Sequence, residues 1–303
     1  MSWQRWALNA YFRYGMKPVL GLVRSPALAR WCFEHLAPVF CPPLPHTVLL
    51  RRSSAPVPMT FVSCGRTRRR EVILYLHGGA YLAGSARSYT GLLSRLSRAA
   101  ETVVAAPDYR VLPEAPFPAA FEDALAAWQY LRDRGYPPER ILLAGDSAGG
   151  GLALALLSAL LRRGEKPGAA AVFSPWCDLT LSGASVRRNR ARDAVIPAAR
   201  MQEVIALYLG GADPFDPRAS PLFARYPGPP PVLIQAGDTE VLLSDAERMA
   251  ARLRQAGGKV KLSLWRDVPH VWQFMAGKLP EGRAALTEAG AFLRAPPGTP
   301  KPR

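Results

Sequence analysis

From Val72 onward the chain repeats one pattern, in which a short continuous apolar run is followed by a helix-length segment. The run Val72-Ile73-Leu74-Tyr75-Leu76 contains no charged residue and reads as a strand buried on both faces. A helix is predicted over 89–100, then a strand over 102–106, a helix over 119–134 and a strand over 141–144. The pattern continues with a helix over 147–163, a strand over 169–173, a strand over 232–235, a helix over 244–256, a strand over 260–265 and a helix over 281–293. Such a succession of βα units implies a mostly parallel sheet with helices on both faces. Ligands of these sheets bind beyond the carboxyl ends of the strands, which is where chemistry is to be sought. Before this region, residues 1–40 read as helical and two short strands are predicted over 47–51 and 57–63. Between 173 and about 212 the pattern lapses into a long irregular insert.

Gly145-Asp146-Ser147-Ala148-Gly149 fits the pattern G-x-S-x-G, and it stands where a buried strand ends and a helix begins. That context predicts a sharp turn that lifts the Ser147 hydroxyl above the sheet as a nucleophile. The helix N-terminus then supplies an unsatisfied N–H, that of Ala148, where an oxyanion would form. A rival reading sets His77, Asp108 and Ser147 in the order used by chymotrypsin-like proteases. The apolar helix Leu152-Ala153-Leu154-Ala155-Leu156-Leu157 does not belong in that all-β fold. His77-Gly78-Gly79-Ala80 directly follows the strand over 72–76 and comes close to the H-G-G-G turn whose N–H groups complete an oxyanion hole. Gly78 and Gly79 are the candidate donors there, since a substrate oxygen must approach the main chain closely.

With these segments in place the sequence resembles the hormone-sensitive-lipase family of bacterial carboxylesterases, also called family IV, within the α/β hydrolases. The resemblance rests on His77-Gly78-Gly79, on Asp108-Tyr109-Arg110 through Pro113-Glu114 to Phe117-Pro118-Ala119-Ala120, on Gly145 to Gly150, and on Ser220-Pro221-Leu222. It implies an α/β-hydrolase fold with a mostly parallel eight-stranded sheet and a helical cap. Within the segment from Asp108 to Ala120, Asp108, Arg110 and Glu114 can form a charge network that fixes the loop behind the oxyanion turn, with a plain solvated loop as the competing reading.

The nucleophile needs a base, and the base an orienting carboxylate. The chain has four histidines. His35 and His46 precede the parallel sheet and His77 belongs to the glycine turn, which leaves His270, just after the last strand. The acid should follow the strand over 232–235, where Asp238, Glu240 and Asp245 are candidates. The family's usual loop there is similar to D-P-L-L-D-D-S with its first aspartate catalytic. Matching the leucines sets Glu240-Val241-Leu242-Leu243-Ser244-Asp245 over it and makes Glu240 the acid. Asp238 remains the alternative, and Asp245 reads as a first-turn acid favoured by the helix dipole.

The predicted organisation is an N-terminal helical cap segment over 1–45, a catalytic domain over 46–295 with a cap insert over 183–212, and a disordered proline-rich tail over 296–303. Both roofing segments are basic: Arg5, Arg13, Lys17, Arg24 and Arg30 face only Glu34 in the first, and Arg187, Arg188, Arg190, Arg192 and Arg200 face Asp193 and Glu203 in the insert. Tyr81 and Trp176 are candidates for an aromatic pocket wall, with core packing as the competing reading. A roofed apolar pocket suits hydrolysis of short- to medium-chain acyl esters through an acyl-enzyme, with no metal or organic cofactor. Alternatives are a hydrolase of amides, lactones or acetylated xenobiotics with the same residues, and a non-catalytic ligand receptor, which would be expected to lack a triad member.

The formal charge of +16 invites a nucleic-acid reading, but the basic residues are scattered, with only Arg68-Arg69-Arg70 forming a tight run, read as a solvated turn. No nucleic-acid partner is expected, and a membrane-surface contact that is weak at most. The four cysteines show no C-x-x-C spacing and read as reduced thiols of a cytoplasmic protein, monomeric or homodimeric. No apolar stretch is long enough for a transmembrane helix, and Asn9, Arg13 and Lys17 interrupt what a secretory signal would require.

Overall fold

A computed structural model describes residues 2–67 and 70–296. Arg68 and Arg69 of the basic run, and the tail after Pro296, lie outside the described residues. Strands β1 (Thr47–Arg52) and β2 (Met59–Cys64) form an antiparallel ribbon at one edge of the sheet. The remaining strands are β3 (Val72–Leu76), β4 (Val103–Pro107), β5 (Ile141–Asp146), β6 (Ala170–Phe173), β7 (Val232–Gly237) and β8 (Val260–Trp265). Together they make one eight-stranded sheet in the order β1-β2-β4-β3-β5-β6-β7-β8. β2 joins β4 antiparallel, and every pairing from β4 to β8 is parallel. The predicted α/β class is thus borne out, with strand positions within two residues of those read from the apolar runs.

The core sits on both faces of the sheet. Along β3, Val72, Leu74 and Leu76 pack into one cluster, while Ile73 and Tyr75 pack into the other, the alternation that a pleated strand imposes. Helices α5 (Ala119–Asp133), α6 (Ser147–Arg162) and α9 (Leu243–Gln255) line the first face. Helices α4 (Ala86–Ala100) and α10 (Pro280–Arg294) line the second. α4 begins three residues earlier than the apolar period suggests, because Ser85 and Ser88 form a reciprocal capping box.

Residues 3–40 form α1 (Trp3–Tyr11), a π-helical turn over Phe12–Met16, α2 (Lys17–Leu22) and α3 (Pro26–Phe40). The insert after β6 is not irregular throughout, as the sequence suggests. It carries α7 (Ala184–Arg188) and α8 (Met201–Leu209), and α8 stops at Gly210 in the left-handed region. These helices are too short for a period to stand out among the arginines. The two segments meet. Arg13 donates to Arg192 O at 2.8 Å, Lys17 to Asp193 O at 2.6 Å, and Arg200 to Val23 O at 2.9 Å.

The expected network of Asp108, Arg110 and Glu114 does not form. Asp108 accepts from the Ala86 N–H at 2.7 Å, Arg110 pairs with Asp123 at 2.8 Å, and Glu114 pairs with Arg30 at 2.7 Å. Each charge finds a nearer partner on a different element, which still pins the loop after β4.

Candidate active site

Five strand ends converge at the carboxyl edge of the sheet. β3 runs into the glycine turn, β5 into Ser147, β6 into Ser174, β7 into the Glu240 loop and β8 into the His270 loop. Ser147 stands at the β5–α6 junction with φ +50°, a conformation that costs a non-glycine residue of order 1–3 kcal/mol and persists only where its surroundings impose it. Here the imposing contact is the close packing of α6 on β3. A Cβ on Gly149 would lie 2.1 Å from His77 O and 2.2 Å from Leu76 O, so no side chain fits between them.

Ser147 Oγ lies 2.9 Å from His270 Nε2, and His270 Nδ1 lies 2.6 Å from Glu240 Oε2. The second Glu240 oxygen accepts from the Ser174 hydroxyl at 2.7 Å and the Gly237 N–H at 2.6 Å. The carboxylate therefore has one direction left, toward the imidazole. Burial lowers the His270 pKa, but hydrogen bonding to Glu240 and the charges of Glu240, Asp193 and Asp146 more than offset it and hold the imidazole above its ordinary value. Asp238 points elsewhere, accepting from the Asp267 N–H at 2.7 Å. His35 and His46 play no part in this group. Asp245 proves to be more than a first-turn acid. It is buried and accepts from the N–H groups of Cys177 and Asp178, and desolvation raises its pKa to about 7.

The glycine turn needs one correction. Gly78, read as an oxyanion donor, has its N–H committed to Asp146 Oδ1 at 3.0 Å. Gly79 has φ +116°, and a Cβ there would meet Ala83 O at 2.1 Å. The Gly79 O accepts from Leu82 and Ala83, closing the turn. Among the described residues the N–H groups of Gly79, Ala80 and Ala148 donate to no protein acceptor. The amides left free at this turn are thus those of Gly79 and Ala80 rather than Gly78 and Gly79, because Asp146 holds the first one. Asp146 is itself buried beneath the turn, accepting also from Tyr75 at 2.8 Å and Tyr89 at 2.9 Å. Burial raises its pKa to about 6, against the lowering effect of these three donors. His77 is buried and stacked on Tyr109 with ring centroids 4.1 Å apart, and desolvation drops its pKa to about 4. It is neutral and braces the turn.

Tyr81 and Trp176 both belong to the core cluster on the α6 face. Tyr81 stacks on Tyr208 with centroids 3.8 Å apart and donates to Ala148 O at 3.1 Å, so it supports the turn. Trp176 donates its main-chain N–H to Ser147 O at 2.9 Å and has a buried Nε1 with no partner. Sequence reasoning missed Ser174, Asn189 and Asp193. Asn189 donates to Glu240 O at 2.8 Å and Asp193 accepts from the Val241 N–H at 2.9 Å, so the cap insert grips the acid loop. No local pattern distinguishes these residues from ordinary polar loop positions. Among the described residues, no group of three or more histidine, cysteine, aspartate or glutamate side chains is placed to hold a metal ion.

Comparison with known proteins places the chain among relatives. The family model of the alpha/beta hydrolase fold matches residues 73–274. An acetyl-hydrolase of Streptomyces hygroscopicus is 47% identical over 227 residues, which cover 75% of this chain and 76% of that protein. The esterase LipU of Mycobacterium tuberculosis is 38% identical, over 74% of this chain and 78% of that protein. A crystal structure of an esterase from the bacterial hormone-sensitive lipase family superposes with a TM-score of 0.91 at 39% identity, covering 97% of this chain and 98% of that one. EstE5, in a crystal soaked with p-nitrophenyl butyrate, superposes with a TM-score of 0.91 at 34% identity, over 97% of this chain and 98% of its own.

Proposed function

The chain belongs to the bacterial hormone-sensitive-lipase family of the α/β-hydrolase fold and is an ester hydrolase, and we propose that it cleaves short- to medium-chain acyl esters through an acyl-enzyme on Ser147. The observation that carries this reading is the unbroken hydrogen-bond chain from Ser147 Oγ through His270 to Glu240. A non-catalytic receptor would be expected to lack a member of it.

In the first half-reaction His270 Nε2 takes the hydroxyl proton as Ser147 Oγ attacks the ester carbonyl. The imidazolium that forms donates from Nδ1 to Glu240, whose ionised carboxylate stabilises it. The N–H groups of Gly79, Ala80 and Ala148 hold the oxyanion, each such donor contributing about 10²–10³ in rate. His270 then returns the proton to the leaving alkoxide as the C–O bond breaks, which leaves the acyl group on Ser147. In the second half-reaction a water loses its proton to His270, attacks the acyl carbon, and Ser147 leaves with that proton.

Residues 1–45 and 183–212 form the roof in this reading, supported by the hydrogen bonds that tie them together. A covered pocket favours small acyl groups, a reading supported by the name of the Streptomyces hygroscopicus acetyl-hydrolase and by the butyrate ester soaked into EstE5. Trp176, beside the nucleophile, is the pocket residue we retain. The four free thiols suit a reducing compartment such as the cytoplasm. A panel of nitrophenyl esters from acetate to palmitate tests the proposal. We expect butyrate to be turned over faster than palmitate, and the opposite order would remove the covered pocket.

A further inference from the structure

The outer surface of residues 3–40 is the largest apolar feature that catalysis leaves unused. Of the seventeen exposed large hydrophobic side chains among the described residues, eleven lie in this segment. Trp3 and Trp6 are each 75% exposed, Tyr14 77% and Leu22 80%. On an ideal helix Trp3, Trp6 and Tyr11 fall within an arc of roughly 140°. Arg5 and Phe12, on the opposite side, are buried against the protein. α1 therefore turns its aromatic stripe outward. Single exposed hydrophobics are ordinary, but a contiguous field marks a surface that meets something.

Charge identifies what it meets. The segment's one acidic residue, Glu34, is turned inward, where it accepts from the hydroxyls of Ser85 and Ser88. Arg24 is exposed, and so are Arg187, Arg188, Arg190 and Arg192 on the adjoining insert. The two surfaces are joined through Lys17, which donates to Arg190 O at 2.9 Å. A second copy of the chain would bring this cationic field against itself, and a symmetric contact requires self-complementarity. A surface of outward tryptophans beside exposed arginines, whose neighbouring carboxylates Glu203 and Asp267 are already paired with Arg200 and Arg5, is instead complementary to the interface of an anionic bilayer.

We propose that the outer face of the N-terminal cap docks this enzyme on anionic lipid surfaces, the aromatic side chains entering the headgroup region and the arginines meeting lipid phosphates. The contact is peripheral, since no helix among the described residues is long and apolar enough to cross a membrane. The sequence alone suggests a weaker contact, because it shows the basic residues without showing that the tryptophans face outward.

Co-sedimentation of the full chain with vesicles, read without any catalytic assay, tests the proposal independently of the ester reading. Vesicles of phosphatidylcholine mixed with phosphatidylglycerol are compared with pure phosphatidylcholine at physiological salt. The partition coefficient should be about tenfold or more higher on the anionic vesicles. The combined variant Trp3→Ser, Trp6→Ser, Leu22→Ser should lose about tenfold or more of it while keeping its melting temperature. If that variant unfolds, Arg24→Gln with Arg190→Gln, which leaves the apolar face intact, should also weaken anionic binding and make it less salt-dependent. Equal partition to both vesicle types would overturn the proposal, as would variants that bind like the wild type. A dimer that the triple variant converts to monomers would assign the face to self-association instead.

Discussion

Replacing Glu240 by glutamine tests the acid more sharply than deleting it. The three donors around the carboxylate leave no good orientation for an amide. Glutamine can point its oxygen at Ser174 and Gly237, where the hydroxyl and N–H approach to 2.7 and 2.6 Å. Its NH₂ then faces His270 Nδ1 and forces the tautomer that carries the proton on Nε2. That tautomer presents a donor to Ser147 Oγ, 2.9 Å away, and cannot accept the serine proton. The flipped amide restores the tautomer but sets an NH₂ against the Gly237 N–H. Either way the negative charge that stabilises the imidazolium is gone. The analogous change in the best-studied triad costs about 10⁴ in turnover, which corresponds to about 5 kcal/mol of transition-state stabilisation. Asp238→Asn should cost about tenfold or less, because an amide oxygen can still accept from the Asp267 N–H as the carboxylate does. Both variants are assayed for turnover on p-nitrophenyl butyrate beside a thermal melt that confirms folding. A crippled Asp238→Asn with a nearly silent Glu240→Gln would refute the reasoning and exchange the two roles.

Two further outcomes follow from titrating groups. His270 must be neutral to act as base and its pKa is held above the ordinary 6.5, so kcat/KM should rise with pH through a midpoint above that value, and a midpoint below it would contradict the electrostatics described. Asp146 has a folded-state pKa raised from 3.8 to about 6, so its contribution to stability is complete below 3.8 and is lost as pH rises through about 6. Wild type should therefore lose on the order of 1 kcal/mol relative to Asp146→Asn between about pH 5 and about pH 7.5 in urea unfolding, and a pH-independent gap would contradict this.

Much of the fold was legible because buried parallel strands must be continuously apolar, and β3, buried throughout, lies over the residues read from its run. The turn that presents Ser147 was legible for a local reason: a sharp strand-to-helix turn needs small residues at fixed offsets, and Gly145 and Gly149 supply them. The same logic could not assign the turn's donors. Which amide is free depends on where Asp146 points, and that is set by Tyr75 and Tyr89, 71 and 57 residues away in the chain. Glu240 could be aligned through its leucines, but what turns it toward His270 is Ser174 on another strand. The charge network was misread for a related reason. Asp108, Arg110 and Glu114 are close in sequence, yet Asp123, Arg30 and the Ala86 amide compete for them from separate helices. The outward face of α1 was likewise hidden, since an amphipathic pattern does not say which side the protein covers.

The central claim about catalysis is that Ser147 carries the acyl group. Incubating the enzyme with a fluorophosphonate, which traps an activated serine covalently, and mapping the adduct by peptide mass spectrometry tests it directly. A single stoichiometric adduct on Ser147 is expected, with complete loss of butyrate-ester turnover and no labelling of Ser147→Ala. Inactivation with the label on another residue, or turnover by Ser147→Ala within about tenfold of wild type, would contradict it.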